Sequence, residues 1–185
     1  MLATIVTTDR EINQILELSA NNSKEAITKH EKEREGFISW NYSLDLLRKM
    51  HQLNPSVIIK NGEQIAGYAL VALKEAAQFH IDLHSMIAQL DQLHYNNKKL
   101  SDYRYYIMGQ ICIHKSQRGK GLFPLLYQKH RELFKNRFDF VITEISTSNQ
   151  RALRAHKKIG FKTIHTYVDG IDEWKVVLWD WSNLI

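Results

Sequence analysis

The stretch Arg118–Pro124, RGKGLFP, decides the fold because it joins a strand pattern to a helix pattern. β-Branched and aromatic residues are dense from 105 to 113, as in a strand that is buried on both faces. Beyond the stretch, apolar residues recur at helical spacing as far as Phe134, and Pro124 suits a first helical turn. The sequence therefore predicts a strand, a glycine-rich turn and a helix, in this order.

This turn has the features of an anion site. Its glycines permit tight backbone angles and leave no side chains between the amides and a ligand. Unpaired amides and the positive end of the helix dipole converge at such a helix start, and Arg118 and Lys120 add full charge. Glycine-basic turns also occur as plain loops, so the segment alone leaves both phosphate binding and a simple turn open.

Length and charge narrow the class of protein. The chain has 185 residues, of which 44% are hydrophobic and 24% charged, and we expect one domain across 1–185 with a real core. Residues 1–100 carry a net charge of −1 and residues 101–185 a net charge of +6, so the positive field belongs to the half with the glycine turn. A small polyphosphorylated cofactor or a nucleic acid would suit this field. Without an arginine-rich arm, a zinc spacing or a helix-turn-helix signal, we expect no nucleic acid.

Other features bear on location and on metals. With no apolar run near 18 residues and no basic-then-apolar leader at Met1, we expect neither a membrane span nor a secretory signal. One cysteine, Cys112, excludes an internal disulfide framework and fits a cytoplasmic location. His80 and His84 stand four apart, but a metal pair needs further ligands, so we interpret them as solvent-facing and expect no metal.

The first hundred residues predict helices followed by a hairpin. Thr8 or Asp9 can cap one helix and Ser43 another, and Asn61-Gly62 is a strong hairpin signal. The charged run 24–35 reads as a solvated helix face or a mobile loop. Residues 74–103 predict a helical insert that runs into a polar loop.

The rest of the chain predicts a crossover unit and a closing hairpin. A second apolar strand near 138–145 would lie parallel to the first. A helix follows from about Asn149 to Ile159. Residues 162–168 and 173–181 then form a hairpin, whose last strand could be core or the seam of a homodimer.

Two spaced motifs carry a family resemblance. Arg118-x-x-Gly121 after a strand, and Asn149 followed by Ala152 and Gly160-Phe161, resemble the GNAT superfamily of acyl-CoA-dependent N-acetyltransferases. The resemblance implies an α/β (α+β) fold with a mixed, mostly antiparallel sheet flanked by helices. It also implies that the parallel strands near 105–113 and 138–145 are splayed apart.

The resemblance further implies acetyl-CoA in the gap between these strands, and an amine acceptor beside it. Main-chain groups of the first strand would pair with the pantetheine arm, and amides of the turn would hold the pyrophosphate. The residues that the resemblance assigns to the cofactor are Ile111, Cys112, Ile113, Arg118, Gly119, Lys120, Gly121, Leu122, Phe123, Asn149, Ala152 and His156.

Three positions depart from the family pattern. Phe123 stands where the family has glycine or alanine, which can alter phosphate placement locally. Gln110 stands where many members have a glutamate, and an amide cannot act as a base. His156 replaces the usual tyrosine four residues before the Gly-Phe pair.

Acid–base candidates remain. Glu144 lies among apolar neighbours on the second strand, where a raised pKa would suit a base, or it is a structural carboxylate. His156 can serve the departing thiolate or pack in the core, and His114 is a second base candidate or a surface residue. Cys112 reads as inert core rather than as a nucleophile.

Together these features predict an N-acetyltransferase in which a bound primary amine of a small molecule or peptide attacks acetyl-CoA directly. The alternative is a non-catalytic acyl-CoA-binding or regulatory module, which Gln110 and His156 keep open. The acceptor itself cannot be read from the sequence, although we expect the insert at 74–103 to border it.

Overall fold

The computed structural model describes residues 1–170 and 172–182, with Glu33 described only by its backbone. A mixed sheet has the strand order β1-β2-β3-β6-β7-β9-β8, and β4 and β5 form a separate small hairpin. The strands are β1 (Leu2–Ile5), β2 (Val57–Asn61), β3 (Gln64–Ala72), β4 (His94–Tyr95), β5 (Lys98–Lys99), β6 (Tyr105–Ile113), β7 (Phe140–Ser146), β8 (Lys162–Val168) and β9 (Glu173–Asp180). The α-helices are α1 (Asp9–Ala20), α2 (Lys29–Glu35), α3 (Leu44–Leu53), α4 (Ile81–Gln92), α5 (Leu122–Phe134) and α6 (Gln150–Ile159).

The strands β6 and β7 are parallel for only a short length. Tyr105–Ile107 pair with Phe140–Ile142, and beyond these three pairs the strands separate. β6 continues along β3 as far as Ile113, and β7 continues along β9 as far as Ser146. The other strand pairs are antiparallel. This confirms the predicted mixed, mostly antiparallel sheet with splayed parallel strands.

A β-bulge lies where the two strands separate. The register of β3 against β6 shifts between Ala69 and Val71, so that Gly109 and Gln110 lie opposite a single β3 residue. A side chain at Gly109 would collide with the Tyr42 hydroxyl, so a larger residue there would force the buried Tyr42 ring to move. A bulge bends and twists its strand, and this one turns the end of β6 away from β7.

Each face of the sheet has its own apolar core. On one face α1, α3 and α4 contribute fully buried residues such as Ile15, Leu47 and Leu90. On the other face α5 contributes Leu126 and Tyr127. The sheet is therefore buried on both sides, which explains why its central strands are apolar throughout.

The structure defines two segments whose sequence patterns do not specify their secondary structure. The charged run contains α2, which begins at a capping box formed by Thr28 and Glu31. The segment 74–103 contains a 3₁₀ turn, α4 and the small β4–β5 hairpin. His80 is the N-cap of α4, because its ring nitrogen accepts from the Asp82 amide, and His84 is exposed.

The described residues lack two kinds of feature. They contain no group of three or more His, Cys, Asp or Glu side chains placed to hold a metal ion. They also contain no helix that is long and apolar enough to cross a bilayer.

The last strand lies inside the sheet. β9 pairs with β7 on one side and with β8 on the other. Trp179 on this strand packs against Phe161 and Trp181. Val176, Val177 and Leu178 at its centre are buried, so the interpretation of this strand as core is correct. The homodimer stays a prediction.

A buried histidine ties α5 to the sheet. His130 has no exposed surface, and its Nδ1 accepts from the Tyr106 hydroxyl at 2.8 Å. Its Nε2 lies 3.3 Å from the carbonyl oxygen of Ala69, which can only accept, so Nε2 carries the proton. Burial lowers the pKa of His130 to about 4.

We expect His130 to make the protein less stable in mild acid. Its pKa in the folded protein, about 4, lies below the ordinary 6.5, so the unfolded chain takes up the proton first as the pH falls. The stabilisation is full above pH ~6.5 and is lost toward pH ~4, with a slope of up to about 1.4 kcal/mol per pH unit. Urea unfolding between pH 8 and pH 4.5 measures this slope.

The variant His130→Gln should have a shallower slope than the wild type in this window. The matched control is His84→Gln, because His84 is exposed on α4. Equal slopes for the wild type and His130→Gln would contradict the assignment.

Candidate functional site

A cleft of about 290 Å³ opens where β6 and β7 separate. Its walls are the end of β6, the turn between β6 and α5, and the first two turns of α6. Residues 35–38 and Asn22 complete the lining. Eleven of the twelve residues predicted to bind the cofactor line this cleft, and Lys120 does not. The structure thus brings the two sequence motifs together around one space.

The turn before α5 leaves its amides open to the cleft. Gly119 and Gly121 have φ angles of 77° and 76°, which favour glycine, and the space beside both is open. No side chain caps α5, whereas the other five α-helices within the described residues each have a side-chain cap. This helix start can therefore accept an anion.

Arg118 is held on the wall of the cleft by three partners. Its Nε donates to the carbonyl oxygen of Ile113 at 3.1 Å, and its Nη2 donates to Asn22 Oδ1 at 2.5 Å. The guanidinium also forms an ion pair with Glu35 of α2. A second ion pair joins Glu31 of α2 to Lys115, just before the turn. Two carboxylates of α2 therefore form ion pairs with two cations in or next to the glycine turn before α5.

The chain from 34 to 40, which we name the roof segment, crosses from one wall of the cleft to the other. Side chains from both walls donate to its carbonyl oxygens: Arg151 to Arg34 at 2.7 Å, Asn149 to Phe37 at 2.9 Å, and Gln110 to Trp40 at 2.6 Å. Gly36 has a φ of 75°, and a Cβ there would lie 2.8 Å from Asn149 Oδ1. These hydrogen bonds and the close approach at Gly36 hold the roof segment over the point where β6 and β7 separate.

Sequence reasoning missed the roof segment and Asn22. The Thr28-x-x-Glu31 spacing is a capping-box signal that indicates the start of α2. No local pattern connects α2 to the turn at Arg118, which is more than eighty residues away in the sequence. The sequence alone therefore does not reveal that charged residues of 24–35 form ion pairs near this turn.

His156 lies at the back of the cleft and is buried. Its Nδ1 is 2.8 Å from the carbonyl oxygen of Ala152, so Nδ1 carries a proton. Its Nε2 therefore accepts from the Tyr127 hydroxyl, at 2.7 Å. Burial lowers the pKa of His156 to about 4. The ring is neutral near pH 7, and both nitrogens have partners.

The ring of Phe123 fills the space beside this pair. Its centroid lies 5.2 Å from the Tyr127 ring and 5.1 Å from the His156 ring, both edge-on. Edge-to-face contacts of this kind stabilise aromatic clusters. The bulky residue at the start of α5 therefore packs against the Tyr127 and His156 rings, and it also lines the cleft.

Glu144 lies on β7, two residues beyond the last parallel pair, and is not part of the cleft lining. Its Oε2 accepts from the Tyr167 hydroxyl at 2.8 Å, and its buried Oε1 has no hydrogen-bond partner among the described residues. Burial raises the pKa of Glu144 to about 7, and the nearby Asp169 adds to the increase. This carboxyl group can therefore exchange a proton near neutral pH.

Two other predicted residues lie at the rim. His114 is exposed and caps the 3₁₀ turn at 115–117 by accepting from the Ser116 amide. Lys120 is exposed and donates to Gln117 Oε1 at 3.0 Å. Burial raises the pKa of the Cys112 thiol to about 12, so the thiolate that a nucleophile needs is disfavoured.

The sequence profile described as "Acetyltransferase (GNAT) family" matches residues 14–161. The chain belongs to the GNAT acetyltransferase family. No curated protein matches its sequence.

Solved structures with the GNAT fold superpose along nearly the whole chain. Ard1 from Thermoplasma volcanium has a TM-score of 0.65 at 12% identity, covering 97% of this chain and 98% of its own. The ribosomal-protein-S18-alanine N-acetyltransferase from Escherichia coli has a TM-score of 0.62 at 11% identity, covering 98% and 95%. A NatC complex bound to Gag peptide and CoA has a TM-score of 0.62 at 12% identity, covering 97% of both chains. At these identities the likeness concerns the fold.

Two residues at or near the cleft differ from the usual GNAT residues. At Gln110, where many GNAT proteins have a glutamate, Oε1 accepts from Tyr68 at 2.5 Å and from Ser19 at 3.0 Å. At His156, in place of the usual GNAT tyrosine, the neutral ring accepts from the Tyr127 hydroxyl. Each polar side-chain atom of Gln110 and His156 therefore has at least one hydrogen-bond partner.

We expect Tyr167→Phe to raise the pKa of Glu144 further, by about one unit or more, because the lost hydrogen bond stabilises the carboxylate. A ¹³C NMR titration of the Glu144 carboxyl group measures this shift. Tyr95→Phe is the matched control, since Tyr95 donates to Asp180 at 2.9 Å in another part of the molecule. The interpretation fails if the two variants give the same Glu144 pKa.

Proposed function

We propose that this chain is an acetyl-CoA-dependent N-acetyltransferase, in which a primary amine attacks the acetyl group directly. The observation that carries the proposal is the cleft between β6 and β7, where an unpaired strand edge and an uncapped helix start face the same space. These are the two kinds of main-chain group that an amide-bearing arm and a diphosphate need. Family membership supports the same chemistry.

The residues present fit acetyl-CoA, which when bound supplies the thioester that donates the acetyl group. Main-chain groups of Ile111–Ile113 would pair with its pantetheine arm. The amides of 118–123 would hold its diphosphate, with Lys120 at the exposed rim. Ala152 and His156 would lie near its reactive end. Asn149 would contribute by holding the roof segment, since its side-chain amide donates to Phe37.

Glu144 is the proposed base. Its carboxylate is half-populated near pH 7, given a pKa of about 7, and its Oε1 has no hydrogen-bond partner among the described residues. It lies on β7 outside the residues that line the cleft, so it would accept through water the proton that the attacking nitrogen loses as the N–C bond forms and the C–S bond breaks. His114 is the second candidate, and at the exposed rim it would have to act through water.

The raised pKa of Glu144 favours an α-amino group as the acceptor. An α-ammonium has a pKa of about 7.7–8.0, only about one unit above that of this base, whereas a lysine at about 10.4 is more than three units above it. Proton transfer from an α-ammonium is therefore the less costly step. Structural neighbours that are named as alanine N-acetyltransferases, or that hold a peptide, support this class.

His156 is the proposed partner of the departing thiolate, and it would act as a neutral donor. With a pKa of about 4, an imidazolium is scarce near pH 7. The proton available is that on Nδ1, which would have to leave the carbonyl oxygen of Ala152. Because burial raises the pKa of the Tyr127 hydroxyl, this hydroxyl keeps its proton, and Nδ1–H would stabilise the thiolate by a hydrogen bond until the released thiolate is protonated from solvent.

The alternative is a module that binds acyl-CoA without turnover. Gln110 and His156 favour it, because neither offers a free acid or base. The expectations of a single domain across 1–185, a cytoplasmic location and a homodimer also stay predictions, and residues 171 and 183–185 of that domain lie outside the described residues.

We expect Glu35→Gln to bind acetyl-CoA about two- to fivefold more tightly than the wild type, because the variant removes a carboxylate that neutralises Arg118. Isothermal titration calorimetry with acetyl-CoA measures the affinity. Glu63→Gln is the matched control, since Glu63 pairs with Arg10 on another part of the surface. Weaker binding by Glu35→Gln would show that Glu35 orients Arg118 rather than competing with the diphosphate.

We expect the wild type to release free thiol from acetyl-CoA when peptides with a free α-amine are added, and Glu144→Gln to lose about 100-fold of this rate. The wild-type kcat/KM should fall below pH ~7 as the base is protonated. Acetylated-N-terminus peptides that contain lysine should react more slowly.

The control for this loss is Glu173→Gln, which changes an exposed glutamate at the start of β9. Acetyl-CoA binding without thiol release for any amine would favour the non-catalytic module. If the folded protein does not bind acetyl-CoA, both the N-acetyltransferase and the non-catalytic module are excluded.

A further inference from the structure

The side chain of Gln110 joins three separate elements at the bulge of β6. Its hydrogen bonds run to α1, to β3 and to the roof segment: Oε1 accepts from Ser19 at 3.0 Å and from Tyr68 at 2.5 Å, and Nε2 donates to the carbonyl oxygen of Trp40 at 2.6 Å. These partners are 91, 42 and 70 residues away in the sequence. One side chain thus fixes the relative positions of all three.

The hydrogen-bonding pattern at this position suits an amide and excludes a carboxylate. The carbonyl oxygen of Trp40 can only accept, so the group that faces it must donate. An ionised glutamate would accept from Tyr68 and Ser19, but would place a second acceptor against Trp40 at 2.6 Å. A protonated glutamic acid could donate there, as the amide does.

The bond to Trp40 matters because of where the roof segment lies. Phe37 and Ile38 of this segment line the cleft. The Trp40 ring packs edge-on against Tyr42 at 4.4 Å and His80 at 5.3 Å, so it also connects the segment to the start of α4. On the α6 side Asn149 and Arg151 hold the segment, and on the β6 side Gln110 holds it.

We propose that Gln110 is a positioning residue that holds the roof segment over the cleft by donating to Trp40, and that it is not a disabled base. The proposal rests on the proposed function in one respect, namely that acetyl-CoA occupies the cleft beneath this segment. It assigns Gln110 a role that requires the amide.

The surroundings of Gln110 make the proposal testable with pH. The titratable side chains that face it or its partners are Tyr42 from the loop after α2, Tyr68 from β3, Cys112 from β6 and His80 at the start of α4, whose ring contacts Trp40. Burial raises the pKa of the two tyrosines and of the Cys112 thiol, that of Cys112 to about 12, so these three stay neutral between pH 5.5 and 8.5. His80 is present in the wild type and in a variant at 110 alike, so the ratio of their affinities at each pH isolates the charge of a glutamate placed at 110.

The experiment compares Gln110→Glu with the wild type at pH 8.5 and at pH 5.5. At pH 8.5 we expect acetyl-CoA to bind the variant about tenfold more weakly, because the carboxylate repels Trp40 and loosens the roof segment. At pH 5.5 the protonated group can donate again, and the affinities should agree within about twofold. Hydrogen exchange of the peptide 36–42 should show the same rescue.

Gln14→Glu is the matched control. The Gln14 amide has a similar pattern, since Nε2 donates to the carbonyl oxygen of Glu63 at 3.1 Å and Oε1 accepts from the Ile65 amide at 2.8 Å. These bonds join α1 to the β2–β3 hairpin, and none of these residues lines the cleft. This variant should leave acetyl-CoA affinity and exchange of 36–42 unchanged at both pH values.

Three outcomes would overturn the proposal. They are an affinity ratio that is the same at both pH values, a Gln110→Glu variant that binds as well as the wild type at pH 8.5, and an equal effect of Gln14→Glu. If Gln110→Glu does not fold at pH 8.5, Gln110→Met, which cannot donate at any pH, should weaken binding at both. If the wild type itself does not bind acetyl-CoA, the proposed function fails, and exchange of 36–42 alone decides the role of Gln110.

Discussion

The early end of hydrogen bonding between β6 and β7 is the constraint on which the rest of this structure depends. Three parallel pairs hold the strands together, and the bulge at Gly109 and Gln110 then turns β6 away. Main-chain groups left without a strand partner are costly in an apolar interior. Here they face a cleft instead, and the neighbouring turn, α6 and the roof segment are arranged around it.

The parts of the fold with local signals could be predicted from the sequence. The glycine turn places α5 correctly, and Asn149 and Gly160 are the caps of α6, with Gly160 at a φ of 116°. The mixed sheet and its splayed parallel strands followed from the resemblance that these motifs carry. Eleven of the twelve predicted cofactor residues then line one cleft, because the turn before α5 and the start of α6, which carry the two motifs, are themselves two of its walls.

The parts that depend on distant partners could not be predicted. Arg118 and Asn22 are 96 residues apart, and Gln110 and Trp40 are 70 apart. A carbonyl oxygen is present in every residue, so nothing in the sequence marks the one at Trp40 as a partner. The apolar last strand was ambiguous for the same reason, since only the strand order reveals that β9 lies inside the sheet.

The two sides of the cleft are held by different kinds of force. The helix α5, which begins at the glycine turn, is held by hydrogen bonds between neutral groups. Tyr106 donates to His130 and Tyr127 donates to His156, and all four side chains are buried. The helix α2 is instead attached through ion pairs with partly exposed side chains. Dissolved salt screens exposed charges and hardly affects buried neutral hydrogen bonds. A higher ionic strength therefore weakens the attachment of α2 on one side of the cleft, while α5 on the other side stays in place.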